Sequence, residues 1–220
     1  MIEKSKLRGD QLLEVVVNQG GDKAANELLA EFFNGYPIEH LRSLFDSTDE
    51  QLTRTAAWII SELGVKAAPL IDVFGRLLAH PSRYVRFFTL DAVLVCATEL
   101  DGQLVAAAIQ LLQDADEAVR WKALVFLSKA SNDQLASSVS TQSDDRLVNM
   151  TKWLINLQLS GNVADEVSSK IDSADELERL FAAAGAYRMF RLIPALLKNA
   201  SESRHPEIAS FAAGQLKLLA

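Results

Sequence analysis

One pattern recurs along this chain and limits what it can fold into. Val119, Ala123 and Leu127 are apolar, small and apolar at intervals of four, and Arg120 follows the first of them. Val85, Thr89 and Val93, with Arg86, have the same form 34 residues earlier. Leu52, Ala56 and Ile60 have it 33 residues before that. Further copies start at Leu147 (with Thr151 and Ile155), Leu177 (with Phe181 and Gly185) and Ile208 (with Ala212 and Leu216). Successive starts are 33, 34, 28, 30 and 31 residues apart. Residues at i, i+4 and i+8 make one stripe on a helix, and a small middle residue lets two helices approach closely. Amphipathic runs precede several copies: Pro69 to Leu78, Leu104 to Leu112, and Pro194 to Leu197. A single helix pair cannot bury both apolar faces, so the pairs must stack.

Local signals agree with helices throughout. Gly20-Gly21 supplies a stop after the run holding Leu12, Leu13 and Val16. Asp22 reads as the N-cap of a second helix that ends at Asn34-Gly35. Pro37 suits the first turn of the next one, where its missing N–H costs nothing. Residues 1–36 are therefore expected to form an N-terminal cap of two helices, with repeats over 37–220 and a single domain over 1–220. The stretch Ser131 to Asp145 breaks the rhythm. It reads as a short helix around Leu135 followed by a mobile surface loop.

Composition narrows the classes. The 220 residues are 49% apolar and 23% charged, the balance of an ordinary globular protein. One cysteine, Cys96, rules out an intramolecular disulfide and fits a reducing compartment. Three histidines leave little for a His/Cys metal centre, and no cofactor or metal is expected. Lys plus Arg is 22 and Asp plus Glu is 29, so the net charge is −7. Nucleic acid is an unlikely partner for such a chain, because gripping phosphates needs basic clusters. The N-terminus is charged and lacks the apolar stretch of a signal peptide, and apolar runs such as Leu104 to Ile109 are too short for a bilayer. The expected location is cytoplasmic, with no membrane contact.

The segment Leu112-Gln113-Asp114-Ala115-Asp116-Glu117-Ala118-Val119-Arg120, followed by Ala123 and Leu127, resembles the HEAT-repeat family, including its short bacterial members. It carries an Asp six residues before its Arg, and Pro69 and Pro194 resemble the proline of the family's first helix. His80 stands where that Asp would precede Arg86, and Ser47 and Thr53 replace both partners in the copy before. The resemblance implies an all-α, right-handed α-solenoid of about six stacked HEAT-like helix pairs. It implies a ladder role for Arg86 and Arg120, and it says little about function.

A rotation of 100° per residue gives the face opposite the buried stripe. In the copy from Leu52 the stripe is Leu52, Ala56, Ile59, Ile60 and Leu63, and the opposite face holds Arg54, Trp58 and Ser61. The repeat alignment adds Phe87, Asp91 and Leu94, then Trp121, Val125 and Ser128, then Asn149, Trp153 and Asn156. Second helices usually line the concave side of stacked pairs. Arg54, Trp58, Phe87, Asp91, Trp121 and Trp153 are thus the candidate protein-binding residues, since Trp and Arg dominate interface hot spots. Burial of the same rings between neighbouring helices is the competing outcome. Tyr84 reads as a surface aromatic, Cys96 as a buried inert thiol, and His80-Pro81 and His205-Pro206 as turns.

No phosphate loop, Cys-x-x-Cys, His-Glu-x-x-His or Gly-x-Ser-x-Gly occurs. The acidic groups Asp114/Asp116/Glu117 and Asp172/Asp175/Glu176/Glu178 sit at helix starts, where they serve as caps. The expectation is a non-catalytic protein-binding module: an adaptor, a scaffold or an immunity-type inhibitor. Its partner would be another protein, and the acidic N-terminal region favours a basic one, with 4 basic and 7 acidic residues over positions 1–40. The alternative implied by resemblance is a HEAT-like DNA glycosylase acting on alkylated bases, with Trp58, Trp121, Asp91 and Arg54 as its site. A chaperone or lyase role on a bilin-carrying protein is a third, more distant resemblance.

Overall fold

The computed structural model describes the backbone of residues 2–219 and the side chains of residues 7–219. Both ends of the expected span, positions 1 and 220, lie outside the described residues. Contacts divide the chain into two compact units, Met1–Ala97 and Thr98–Ala220. Among the described residues there are helices and no strands.

The first unit contains α1 (Ile2–Gln19), α2 (Asp22–Phe33), the short α3 (Arg42–Phe45), α4 (Glu50–Leu63), α5 (Ile71–Leu78) and α6 (Arg83–Cys96). Gly20 and Gly21, both at positive φ (66° and 98°), turn the chain between α1 and α2. Positive φ is cheap only for glycine. The cap of α2 is Gly21, with no side-chain bond, and Asp22 is the first helical residue instead of the expected N-cap. In the row α2, α4, α6 each helix packs on the next. The predicted stripe of α4 is buried as read: Leu52, Ala56, Ile59, Ile60 and Leu63.

The second unit contains α7 (Gly102–Gln110), α8 (Glu117–Lys129), α9 (Asn132–Ser138), α10 (Asp145–Asn156), α11 (Val163–Ile171), α12 (Glu176–Arg188), α13 (Pro194–Ser201) and α14 (Pro206–Leu219). Counted with the first unit, an α1–α2 hairpin is followed by six pairs, each a shorter helix and then a second helix. The stretch from Ser131 is the first helix of one of these pairs. Ser131 and Gln134 form a reciprocal capping box that starts α9. The loop after it is tied down, since Gln142 Nε2 donates to Ser138 Oγ (3.0 Å) and to Thr151 Oγ1 (3.4 Å).

The inner-ribbon reading needs a correction at α8. Val125 and Ser128 were expected on an open face, yet both are buried. The helix packed against α8 is α12, which also packs on α10, α13 and α14. Its run Ala182-Ala183-Ala184-Gly185-Ala186 is buried on every side, and such small side chains let neighbouring helices come close. Arg188 then fastens the end of α12, donating to the Ala130 carbonyl and to Asn132 Oδ1.

The turns into the second helices share one construction. Asp116 Oδ1 accepts from the N–H groups of Ala118 (3.0 Å) and Val119 (3.2 Å). Asp49, Asp144 and Asp175 cap α4, α10 and α12 in the same way. Two residues before the cap a side chain accepts the cap's own N–H: Ser47 for Asp49, Asp114 for Asp116, and Ser173 for Asp175. His80 does this through Nδ1 for Ser82 (3.1 Å), and burial holds its pKa below the ordinary value, which keeps that nitrogen an acceptor. An arginine four residues after the cap closes the turn. Arg120 donates to the Asp114 carbonyl at 2.9 Å, Arg86 to His80 and Pro81 at 2.7 and 2.8 Å, and Arg179 to Ser173 and Ala174 at 2.8 and 2.9 Å. Arg179 therefore holds the place of Arg120, and the copy read as Leu177, Phe181 and Gly185 lies one residue out of this register.

Two predictions follow from packing. At Gly102 an added Cβ would lie 2.3 Å from the Ser137 carbonyl oxygen, where α7 meets α9. At Gly75, in α5, it would meet nothing within 4 Å. Gly102→Ala should lose about 1–3 kcal/mol through overpacking. Gly75→Ala should gain about 0.5–1 kcal/mol, by removing the entropy that glycine loses in a helix. Urea midpoints at unchanged slope measure both, and an equal effect at the two sites would contradict this packing.

Glu207 gives the third prediction. Its Oε1 lies 3.8 Å from Arg120 Nε, and both atoms are buried without a hydrogen-bond partner. Burial raises its pKa above 4.5; Arg120 and Arg179 pull it down, while Glu176 and Glu117 push it up. The stability this carboxyl contributes is full below the unfolded value of 4.5 and is lost as pH rises through the native value. Glu207→Gln should therefore raise Tm at pH 7, by about 2 °C for a chain of this size. The gain should close as the pH approaches 4.5. A lower Tm at pH 7 would mean that the Arg120 ion pair outweighs the burial cost.

Candidate functional site

The expected residues fall into two groups, one in each unit. In the first, Arg54 and Trp58 are one turn apart on α4, so both project to the same side. They line a cleft of about 270 Å³ with Asp22, Ala25 and Asn26 of α2, Gln51 and Thr55 of α4, and Phe88 of α6. Arg54 and Trp58 are half-buried, so neither belongs to the core. The cleft thus has an apolar part (Ala25, Trp58, Phe88) and a polar part, the mixture that small binding sites combine.

Tyr84 sets the position of Arg54. The guanidinium carbon lies 4.0 Å from the centroid of the Tyr84 ring, and that of Arg83 lies 4.7 Å from it. Arg83 Nη2 also donates to the Tyr84 hydroxyl at 2.9 Å. Tyr84 is 37% exposed, and it is a platform between two arginines more than a bare surface ring. The pairing draws on attraction between a cation and the negative face of an aromatic ring.

Phe87 and Asp91 are half-buried on α6, but Phe88, not Phe87, lines the cleft. The two rings meet edge to face with centroids 5.6 Å apart. At the far end of α6, Cys96 is buried and donates to the Gly64 carbonyl at 3.4 Å. Burial pushes its pKa up to about 11, so the thiol stays protonated at neutral pH, as an inert residue would.

In the second unit Trp121 is half-buried on α8, and Trp153 is half-buried on α10. Trp153 has defined internal partners. Its indole Nε1–H donates to Glu166 at 3.0 Å, and Gly185 leaves room for its ring, where an added Cβ would come within 3.4 Å. Glu166 also accepts from Ser160, and these two donors hold its carboxyl below the usual range. The open side of Trp153 lines a shallow cleft of about 520 Å³ with Asn149, Lys152, Asn156 and the exposed Leu159.

A larger, charged cleft of about 570 Å³ lies at the turns into α8, α10 and α12. Its lining includes Arg120, Arg146, Asp144, Asp175 and Glu176. Most of these groups already hold backbone or one another: Asp144 and Asp175 cap helices, Arg146 pairs with Asp175, and Arg120 closes its turn. The sequence reading places Asp116 and Asp175 as caps, which they are, but Asp172 ends α11 instead of starting a helix; it does not include Asp144, nor does it foresee that three turns gather into one cleft. Chain spacing within a turn is local, whereas the gathering depends on how helices stack. Among the described residues no cluster of His, Cys, Asp and Glu could hold a metal ion, and no helix is long and apolar enough to cross a membrane.

No protein-family model and no curated protein sequence matches the chain. Solved structures resemble it in fold. A HEAT-like repeats protein from the archaeon Thermococcus onnurineus NA1 is 16% identical with a TM-score of 0.52, and the match covers 94% of each chain. Two engineered proteins are likewise 16% identical. One has a TM-score of 0.52 over 95% of this chain and 67% of its own, the other 0.50 over 97% and 89%. The likeness concerns architecture, and with it the pairing seen from α1 to α14 is accounted for: the chain has the fold of a HEAT-like repeat protein, an α-solenoid of paired helices.

Proposed function

We propose that the protein is a non-catalytic, protein-binding repeat module that serves as an adaptor, a scaffold or an inhibitor of its partner. The observation that carries this reading is the cleft of the first unit, where Trp58 and Arg54 stand half-exposed on a helix whose other face is core. Exposed aromatic and arginine side chains at the rim of a packed scaffold are the usual anchors of interfaces. The HEAT-like fold supports the scaffold part, because stacked pairs offer an extended face for a partner. Trp121, and the open side of Trp153, would extend such contacts in the second unit.

The test is affinity capture from the source cells with wild-type protein, Trp58→Ala and Trp121→Ala, each checked for unchanged helicity. The expected result is one stoichiometric protein that Trp58→Ala binds at least about tenfold more weakly. Equal capture by all three would overturn the site. Recovery of DNA without protein would overturn the reading and favour the glycosylase alternative.

A further inference from the structure

We infer that the cleft between α2, α4 and α6 takes the carboxylate of an acidic partner segment, with Arg54 as the group that binds it. The inference rests on the protein-binding reading above and gives that site its chemistry. Arg54 has a stacking partner in Tyr84 and no carboxylate within salt-bridge distance among the described residues. Glu50, one turn earlier on α4, is in helical register for an ion pair with Arg54 and does not make one. The guanidinium is therefore held over a ring, and no side chain or carbonyl among the described residues accepts from its N–H groups. An arginine held in this way is prepared for a planar, two-oxygen acceptor, because its fork of donors matches a carboxylate.

The rest of the lining agrees. Thr55, Gln51 and Trp58, residue types that carry a donor group, line the cleft with Arg54. Asp22 is the one acidic residue of the cleft; it is exposed in the first turn of α2, where a helix N-terminus favours negative charge. Arg54 is half-buried and Asp22 exposed, so the charge of Arg54 is screened by less water than that of Asp22. Ala25, Trp58 and Phe88 offer contact area for an apolar side chain next to the carboxylate. The occupant is thus a stretch of partner chain in which Asp or Glu adjoins an apolar or aromatic residue.

The probe is a displayed library of short random linear peptides, selected on the full-length protein. The best peptide is then synthesised and titrated against wild type, Arg54→Ala, Arg54→Lys and Trp58→Ala, each of verified helicity. We expect selected peptides to share an acidic residue beside an apolar one. Arg54→Ala should weaken binding about 10- to 100-fold, the usual effect of losing hydrogen bonds to a charged group. Arg54→Lys should recover part of the loss. Replacing the peptide's carboxylate by its amide should cost as much in wild type and nothing further in Arg54→Ala. Neutral or basic peptides whose binding needs Trp58 would overturn the carboxylate assignment and leave the protein-binding reading intact. Peptides indifferent to both Arg54→Ala and Trp58→Ala, or no enrichment at all, would overturn both.

Discussion

A helical hairpin is weakest where its second helix begins, because the first N–H groups of that helix have no partner within it. In this chain three groups close those turns in varying combination: a cap carboxylate on the helix N–H groups, an acceptor two residues earlier, and an arginine that reaches back to the carbonyls of the turn, all three present at α8 and α12. Where these bonds form they fix the angle at which the second helix leaves its turn, and the stacking of pairs depends on that angle. It also explains why departures from the repeat pattern are tolerated. Ser47, His80 and Ser173 replace Asp114 without loss of function, since each supplies an acceptor of similar reach. Where Thr53 replaces the arginine, its hydroxyl sits near the Leu44 and Asp49 carbonyls at 3.4 and 3.5 Å, a weaker form of the same tie.

The helices and their pairing were legible because periodicity is a property of one helix at a time. The stripe of α4 follows from its spacing alone, and Gly20-Gly21 marks its turn by composition alone. What spacing could not give is which helix covers the second face. Val125 and Ser128 lie on the side of α8 that an open ribbon would leave to solvent, yet both are buried in a helix that packs against α12. The clue was present in α12 itself: five consecutive small residues from Ala182 to Ala186 leave no polar face for water. In the same way Ser131 to Asp145 looked irregular because its helix is only seven residues long and polar, although the Ser131/Gln134 capping box marks its start.

The candidate site was legible to the same degree. Arg54 and Trp58 share a side because they are four residues apart, and that much needs no tertiary information. The choice between Phe87 and Phe88 is a matter of one residue, or about 100° of rotation, which a repeat alignment cannot resolve when helices cross at varied angles. Tyr84 reads as a surface aromatic and is one, but its stacking under Arg54 comes from contact with another helix, which spacing along α6 does not show. Trp153 shows the reverse case: a ring placed on the predicted face whose indole N–H is already taken by Glu166. A residue's face on its own helix therefore identifies candidates, and the bonds it makes inside the fold separate anchors from packing.

That distinction bears most on the arginines. Arg42 and Arg76 pair with Asp72 and Asp46 at 2.8 and 2.9 Å, and Arg146 pairs with Asp175. Arg86, Arg120 and Arg179 close turns, and Arg188 joins α12 to the Ala130 carbonyl. In each case the guanidinium donates to the chain's own acceptors, Arg120 through Nη1 while its Nε faces Glu207. Arg54 is treated differently: it receives a ring to lie on and no acceptor, at the edge of a cleft that also holds Trp58. A stacked ring limits the side chain's freedom without using its donors, so part of the entropy lost on binding is already spent in the free protein. The difference between Arg54 and its seven counterparts is thus one of unused hydrogen-bonding capacity on a restrained side chain, and capacity of that kind is realised only when an acceptor arrives from outside the chain.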